Sequence, residues 1–390
     1  MWLRGGYQAR PWTAMAFRPL IPLAIAASSA ASFSSSSSSS ASGAALPTIA
    51  VVGAEESLRR IPSTTKSKVN LVRVDPATLA AQSDTLAAAE GLLWIPDPGS
   101  PSAASDTLKT VWPLLPRCRW VHSFAAGVDG LKPFIDACLA PASDRVTLTN
   151  GRGAFSSSLG EYALASILYF NKQLARCAAN RPAKKWDYFT MDVMADKTVG
   201  LVGYGSIGQS AGKAVKGAFP TCKVLALRRR CPADGGPDPY GPADGTFGFD
   251  DRLEFFAACD YVVCSLPSTP HTQKFVGEAE IAAMKPTAVF VSLGRGAAVD
   301  EAALAVALKA KRIGGAALDV FVKEPLPQDS PIWDCDNALI TAHNADYTEN
   351  YFDLGCQVFD ENVEAFLKDS SGGAGPPAGM STPVDLDQGY

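Results

Sequence analysis

From residue 48 onward, short apolar runs recur along the chain, each stopped by glycine, proline or a polar cluster. Thr48-Ile-Ala-Val-Val-Gly53, Val69-Asn-Leu-Val-Arg-Val74, Leu92-Leu-Trp-Ile95, Trp120-Val-His-Ser-Phe124 and Val146-Thr-Leu-Thr149 read as strands. The Ala-rich stretch 78–90 and the segment 108–115 read as helices between them, and strands alternating with helices imply parallel pairing. After the loop Asn150-Gly-Arg-Gly153, Ser158 can cap a long helix in which Tyr162, Leu164, Ala165, Leu168 and Tyr169 fall at helical spacing. A second series of strands follows at 198–202, 223–227, 261–266, 288–291 and 315–318, and a further strand-like run at 338–341. Residues 231–249, rich in Gly, Pro and Asp, read as an irregular loop, and a last long helix is expected from about Tyr347 to Leu367. The pattern predicts an α/β protein with doubly wound parallel sheets.

The sharpest local signal is Gly203-Tyr204-Gly205-Ser206-Ile207-Gly208, entered from the strand 198–202 and followed by a helix candidate. In a dinucleotide fold the first glycine makes the tight turn and the second lets a pyrophosphate approach; the third packs helix on strand. The helix N-terminus then faces the phosphates. At the end of the next strand, where an acidic residue would bind ribose hydroxyls, the chain has Arg228-Arg229-Arg230. A guanidinium suits a 2′-phosphate and a carboxylate would repel it, so NADP is preferred, with NAD the alternative and a solvated basic turn the bland reading.

Composition narrows the class. With 390 residues, 47% hydrophobic and 19% charged, the chain is long enough for two domains and too apolar to be wholly disordered. A net charge of −4 argues against broad binding to nucleic acid or to an anionic membrane. That average hides an asymmetry. Residues 1–47 hold Arg4, Arg10 and Arg18 and no acid, so taking those three charges away leaves −7 on the remainder. Together with the serine run 34–40, this composition reads as a disordered organellar targeting leader over 1–46, plastid or mitochondrial; without a functional leader the expectation is cytoplasmic. Its apolar stretch 20–27 is too short to span a bilayer, which takes about 20 residues. The nine cysteines are scattered, with no CxxC pair and no histidine at ligand spacing, so no metal site is expected.

From about Ser123 to Glu364 the chain resembles the D-isomer-specific 2-hydroxyacid dehydrogenases. The motifs are Ala126-Gly127-Val128-Asp129, the Gly203–Gly208 loop, Leu266-Pro267-Ser-Thr-Pro-His-Thr272, Met284-Lys-Pro286, Leu293-Gly294-Arg295-Gly-Ala-Ala-Val-Asp-Glu301, Ala317-Leu-Asp319-Val-Phe321 with Glu324-Pro-Leu326, and Thr341-Ala-His343, in the family's order. Reducing a 2-keto acid needs a cation for the carboxylate and ketone, a proton donor and a slot for the nicotinamide. The resemblance implies that His343 is the acid/base, paired with Glu324, and that Arg295 binds substrate beside the Ala126-Gly127-Val128 amides. It also implies cofactor contacts from the glycine loop, Arg228, Arg229, Leu266, Pro267, Thr272, Leu293, Gly294 and Asp319. The other two histidines, His122 and His271, default to structural roles. Glu324 argues against the formate dehydrogenase branch, which pairs Gln with His. Departures sit at Ala342 and Asn344 beside His343, at Tyr347, and at Arg152.

The implied activity is NAD(P)H-dependent reduction of small 2-keto acids, with glyoxylate or hydroxypyruvate favoured and a D-lactate-type enzyme as the alternative. A rival of another class is a non-enzymatic NAD(H)-sensing protein like the family's corepressor branch. The implied architecture nests a Rossmann domain (156–337) in a flavodoxin-like substrate domain (47–155 and 338–368), followed by a flexible tail (369–390). A homodimer through the dinucleotide domains is implied as well, with no nucleic-acid or membrane partner.

Overall fold

The computed structural model describes residues 46–96, 104–229, 236–238, 241–369 and 375–389; the leader, Arg230 and Cys231 lie outside them. Five strands form a first parallel sheet: β1 (Thr48–Val52), β2 (Asn70–Arg73), β3 (Gly91–Trp94), β4 (Trp120–Ser123) and β5 (Thr147–Asn150), in the order β2-β1-β3-β4-β5. That is the flavodoxin-like order. Ile49, Ala50, Leu92, Leu93, Trp120 and Val121 are all at most 1% exposed. Both faces are covered at the central strands β1 and β3, and this is why those two read as nearly unbroken apolar runs.

Seven strands form the second sheet, also parallel: β6 (Thr198–Val202), β7 (Lys223–Leu227), β8 (Gly245–Phe247), β9 (Tyr261–Cys264), β10 (Val289–Ser292), β11 (Gly315–Leu318) and β12 (Ala338–Ile340). Their order, β12-β11-β10-β9-β6-β7-β8, is that of a Rossmann sheet with one strand added. The order reverses between β6 and β9, which opens the crevice where such sheets bind ligands.

Two long helices join the halves. Ser156–Asn171 crosses Ser206–Ala218 so closely that a Cβ on Gly160 would lie 2.7 Å from Ser210 Oγ. Tyr351–Lys368 lies on the first sheet. Its Phe359 and Phe366 stack on Trp120 at 5.5 and 5.2 Å, and Phe352 on Phe124 at 4.9 Å. Lys68 clamps the same helix through Asp360 (2.9 Å) and Glu364 (2.7 Å). Among the described residues no helix is long and apolar enough to cross a membrane.

Several expectations shift in detail. The long helix starts at Ser156, and the Ser158 hydroxyl donates to Phe155 O instead of capping the helix. The last helix starts at Tyr351; Tyr347 closes a turn instead, its N donating to Asn344 O (3.1 Å). β8 lies inside the segment read as irregular, because Thr246 pairs with Ala226 and buries itself against the sheet. β12 pairs with β11, so the chain leaves the seven-stranded sheet after 340 and not at 338. Residues 380–384, read as part of a flexible tail, lie antiparallel beside β5. Thr149 bridges Pro383, Val384 N donates to Leu148 O (2.8 Å), and Met380, Thr382 and Val384 are buried in alternation.

Candidate active site

The glycine loop leaves β6 at the point where the strand order reverses. Gly203 has φ +89°, a conformation open to glycine. A Cβ on Gly208 would fall 2.2 Å from Gly203 O, so helix and strand touch there. The space around Gly205 is open: a Cβ would meet nothing within 4 Å. The first intrahelical bond runs from Gln209 N to Gly205 O, so the amides of Ser206, Ile207 and Gly208 have no acceptor within the helix. Open space against free amides at a helix start fits a pyrophosphate.

Around the loop, Tyr204 is buried and its hydroxyl accepts from Ala243 N (3.1 Å); burial pushes its pKa up to about 12. Arg228 follows β7, its guanidinium carbon 5.7 Å from the centre of the Tyr204 ring. Arg229 is exposed and donates to Gln388 Oε1. Leu266 and Leu293 are buried, and Gly294 approaches the Leu266 backbone so closely that a Cβ would lie 2.2 Å from Leu266 O. The Thr272 hydroxyl, read as a cofactor contact, is committed to the loop itself: it donates to Pro267 O (2.6 Å) and accepts from Thr269 N (2.9 Å).

Arg295 stands at the end of β10, in the turn that the Gly294 and Gly296 contacts require; a Cβ on Gly296 would lie 1.9 Å from Phe321 C. Its guanidinium reaches across to the five-stranded half. Nη1 donates to Gly294 O (3.0 Å) and Nε to Asp129 Oδ1 (3.0 Å). Nη2 lies over Gly127, 1.8 Å from where a Cβ would be. The loop 126–128 is braced from β5 by Asn150 Nδ2, which donates to Ala126 O (2.7 Å). Arg295 and the Ala126-Gly127-Val128 amides, 168 positions apart at Gly127, therefore share one site.

His343 sits two residues beyond Thr341, at φ +51°. Its Nδ1 bonds Glu324 Oε2 at 2.7 Å, which leaves Nε2 as the outward nitrogen. The Glu324 hydrogen bond raises the His343 pKa, against desolvation and the Arg295 charge. Burial opposes the Glu324 charge, but the His343 and Phe321 N hydrogen bonds outweigh it and hold its pKa below the ordinary value. Asp319, 1% exposed, anchors the whole loop. Its Oδ1 accepts from Thr341 Oγ1 (2.6 Å) and Asn344 N (3.1 Å), its Oδ2 from Ala345 N (3.3 Å), and its carbonyl from His343 N (2.8 Å). Tyr162, on the long crossing helix, bonds Thr341 Oγ1 at 2.7 Å and so extends the network. A left-handed backbone costs a non-glycine residue of order 1–3 kcal/mol, and these bonds hold His343 there.

Asp129, Tyr162, Thr341 and Asp346 are site residues that motif reading passed over. Asp129 and Thr341 lie inside family motifs, but nothing local in the sequence indicates their partners. Burial raises the Asp346 pKa, with His343 and Arg295 pulling it back. His122 and His271 lie outside the site. His271 is exposed; His122 is fully buried beside Trp120 and Phe359, bonds Thr149 Oγ1 at 2.8 Å, and is pushed down to about 3 by desolvation.

Residues 164–345 match the family described as D-isomer specific 2-hydroxyacid dehydrogenase, NAD binding domain. The glyoxylate/hydroxypyruvate reductase B of Pectobacterium carotovorum is 32% identical over 259 residues, which are 64% of this chain and 76% of the relative. That of Escherichia fergusonii is 30% identical over 305 residues, 76% and 86% of the two chains. A solved D-isomer specific 2-hydroxyacid dehydrogenase family protein of Aeromonas salmonicida superposes with a TM-score of 0.70 at 26% identity, covering 88% of this chain and all of that one. An NADPH-dependent glyoxylate/hydroxypyruvate reductase of Sinorhizobium meliloti, solved with NADP and sulfate, has the same fold: TM-score 0.69, 23% identity, 89% and 100% coverage.

Proposed function

The chain belongs to the D-isomer-specific 2-hydroxyacid dehydrogenase family of NAD(P)-dependent oxidoreductases, and from that premise we propose that it reduces glyoxylate or hydroxypyruvate with NADPH. The observation that carries this reading is the convergence of Arg295, the Gly127 loop and the His343–Glu324 pair, with the Arg295 charge acting on both members of the pair. Arg295 and the Gly127 and Val128 amides receive the substrate carboxylate, and the guanidinium polarises the ketone. A bound reduced nicotinamide supplies the hydride to the carbonyl carbon. His343 gives the proton from Nε2 to the oxygen that becomes the hydroxyl, changing from imidazolium to imidazole as it does so. Glu324 keeps the imidazolium charged until then and holds the ring by Nδ1. Asp319 keeps the His343 loop in place from below.

Arg228 and Arg229, at the end of β7, support NADP over NAD, since a guanidinium there suits a 2′-phosphate. The similarity to glyoxylate/hydroxypyruvate reductases of Pectobacterium carotovorum and Escherichia fergusonii supports glyoxylate and hydroxypyruvate. The test is a spectrophotometric screen of the purified protein with NADPH or NADH against glyoxylate, hydroxypyruvate, pyruvate and phenylpyruvate. NADPH oxidation is expected, fastest with the first two; oxidation with none of the four overturns the reading.

We further infer a homodimer. Trp186 and Tyr188 are 93% and 95% exposed, and Leu174, Met191 and Val193 of the same stretch, which leads into β6, are exposed too. An exposed apolar run of this kind marks a protein interface. Light scattering of wild type and of a Trp186→Ala, Tyr188→Ala double variant decides it: a dimer that the variant weakens is expected, and a wild-type monomer refutes it.

A further inference from the structure

The ion pair between Arg295 and Asp129 crosses between the two sheets, and its geometry goes beyond holding them together. Of the five N–H groups of a guanidinium, Nε is taken by Asp129 Oδ1 at 3.0 Å and one Nη1 hydrogen by Gly294 O at 3.0 Å. Neither bond uses Nη2, the nitrogen over Gly127, which shares its edge with Nε. Two bonds fix the plane of the group, and with it the directions of the remaining hydrogens, both of those on Nη2 among them. Asp129 itself is fixed by its place directly after the 126–128 loop, at the start of a short 3-10 turn, Asp129–Leu131, in which Leu131 N donates to Val128 O (2.9 Å). A Cβ on Gly127 would lie 2.9 Å from Asp129 Oδ1 as well as 1.8 Å from Nη2, so guanidinium, carboxylate and loop are in one tight contact.

We propose that Asp129 is the positioning residue of the substrate site. Its carboxylate holds Nε of Arg295 and thereby fixes the plane in which Nη2 faces the Gly127 loop, so that one substrate carboxylate is received by side chain and backbone together. Asp129 touches neither substrate nor cofactor; it acts through Arg295. With Asp129 neutralised, the guanidinium keeps its charge but loses one of its two orienting bonds, and the other, to its own neighbour Gly294, leaves it free to swing on the side-chain stem.

The inference rests on the substrate reading of Arg295, and the experiment separates the two. Asp129→Ala, Asp129→Asn and Asp129→Glu are made in the full chain. They are compared with wild type in steady-state reduction of glyoxylate and, without turnover, in binding of oxalate, an unreactive carboxylate, by calorimetry in the presence of NADPH. The expected result is a rise of about ten-fold or more in KM and in the oxalate Kd for the alanine and asparagine variants. A smaller change in kcat and partial recovery in Asp129→Glu, which keeps the charge, are expected with it. NADPH affinity, measured by fluorescence, should be the same in all four proteins. Unchanged KM and oxalate Kd in Asp129→Ala overturn the inference, even if that variant melts earlier, because a purely structural pair would show in the melt alone. A lowered KM also overturns it, since Asp129 would then compete with the substrate for Arg295. A wild type that binds no oxalate and reduces no keto acid defeats the reading of Arg295 itself.

Discussion

Replacing Glu324 by Gln is the most direct probe of the proposed proton transfer, because it keeps the shape of the pair and removes its charge. His343 Nδ1 and Glu324 Oε2 are 2.7 Å apart, a charge-assisted contact. Buried, such a bond is worth about 1.5–3 kcal/mol. Here the two side chains are 39% and 33% exposed, so solvent screening reduces it to about 1 kcal/mol. That corresponds to roughly a five-fold loss of imidazolium on the alkaline side of the titration. The sign follows from the causes. The hydrogen bond and charge of Glu324 raise the His343 pKa, whereas desolvation and Arg295 lower it, so removing Glu324 leaves the lowering influences in charge. Keto-acid reduction needs the imidazolium, so kcat/KM falls as pH rises through the His343 pKa, and in Glu324→Gln that limb moves to lower pH. The assay is kcat/KM for glyoxylate with saturating NADPH from pH 5.5 to 9.5, with the reverse oxidation as control, where the limb must run the other way. Superimposable profiles for wild type and Glu324→Gln refute the pairing as the source of the catalytic proton.

Gly127→Ala places a Cβ 1.8 Å from Arg295 Nη2, the far end of a flexible side chain, so the protein should melt near the wild-type temperature while KM for keto acid rises; an unchanged KM contradicts the position given to Arg295. Gly208→Ala meets backbone instead, 2.2 Å from Gly203 O, and should cost about 1–3 kcal/mol in denaturant unfolding together with a loss of NADPH binding seen by fluorescence. His122, held near 3 by burial in the folded state and titrating near 6.5 when unfolded, makes the unfolded chain the better proton acceptor between those values. Stability is thus intact above pH 6.5 and falls on acidification by up to about 1.4 kcal/mol per pH unit from this group, a slope that urea unfolding of His122→Gln should show reduced.

Much of the fold was legible in the order of residues. Buried parallel strands must be apolar on both faces, so β1, β3, β6, β9, β10 and β11 announce themselves within a residue or two. β8 did not, because three residues in a Gly-, Pro- and Asp-rich stretch carry no periodicity; only the open edge of β7 makes Gly245–Phe247 a strand. The ends of the two long helices were misplaced for a similar reason. Neither starts with a side-chain cap, and their first residues are set by what the helix packs against.

The candidate site divides along the same line. Residues whose role is local could be named from the sequence: Gly203, whose φ of +89° a turn demands; Gly208, which must clear the Gly203 carbonyl; and Gly294 and Gly296, between which Arg295 is held out by close backbone contacts. Sequence alone thus determined two wound sheets and a dinucleotide loop, and pointed to the groups proposed to carry proton and charge. Tertiary structure decided which partners those groups meet. The Asp129–Arg295 pair joins residues 166 positions apart, Tyr162 reaches Thr341 across 179, and Thr382 bonds the end of β5 across 232. No short-range pattern encodes such pairs, because they form only once segments far apart in the chain have packed on a core shared by both sheets. At that distance along the chain, packing rather than propensity sets which carboxylate a guanidinium finds.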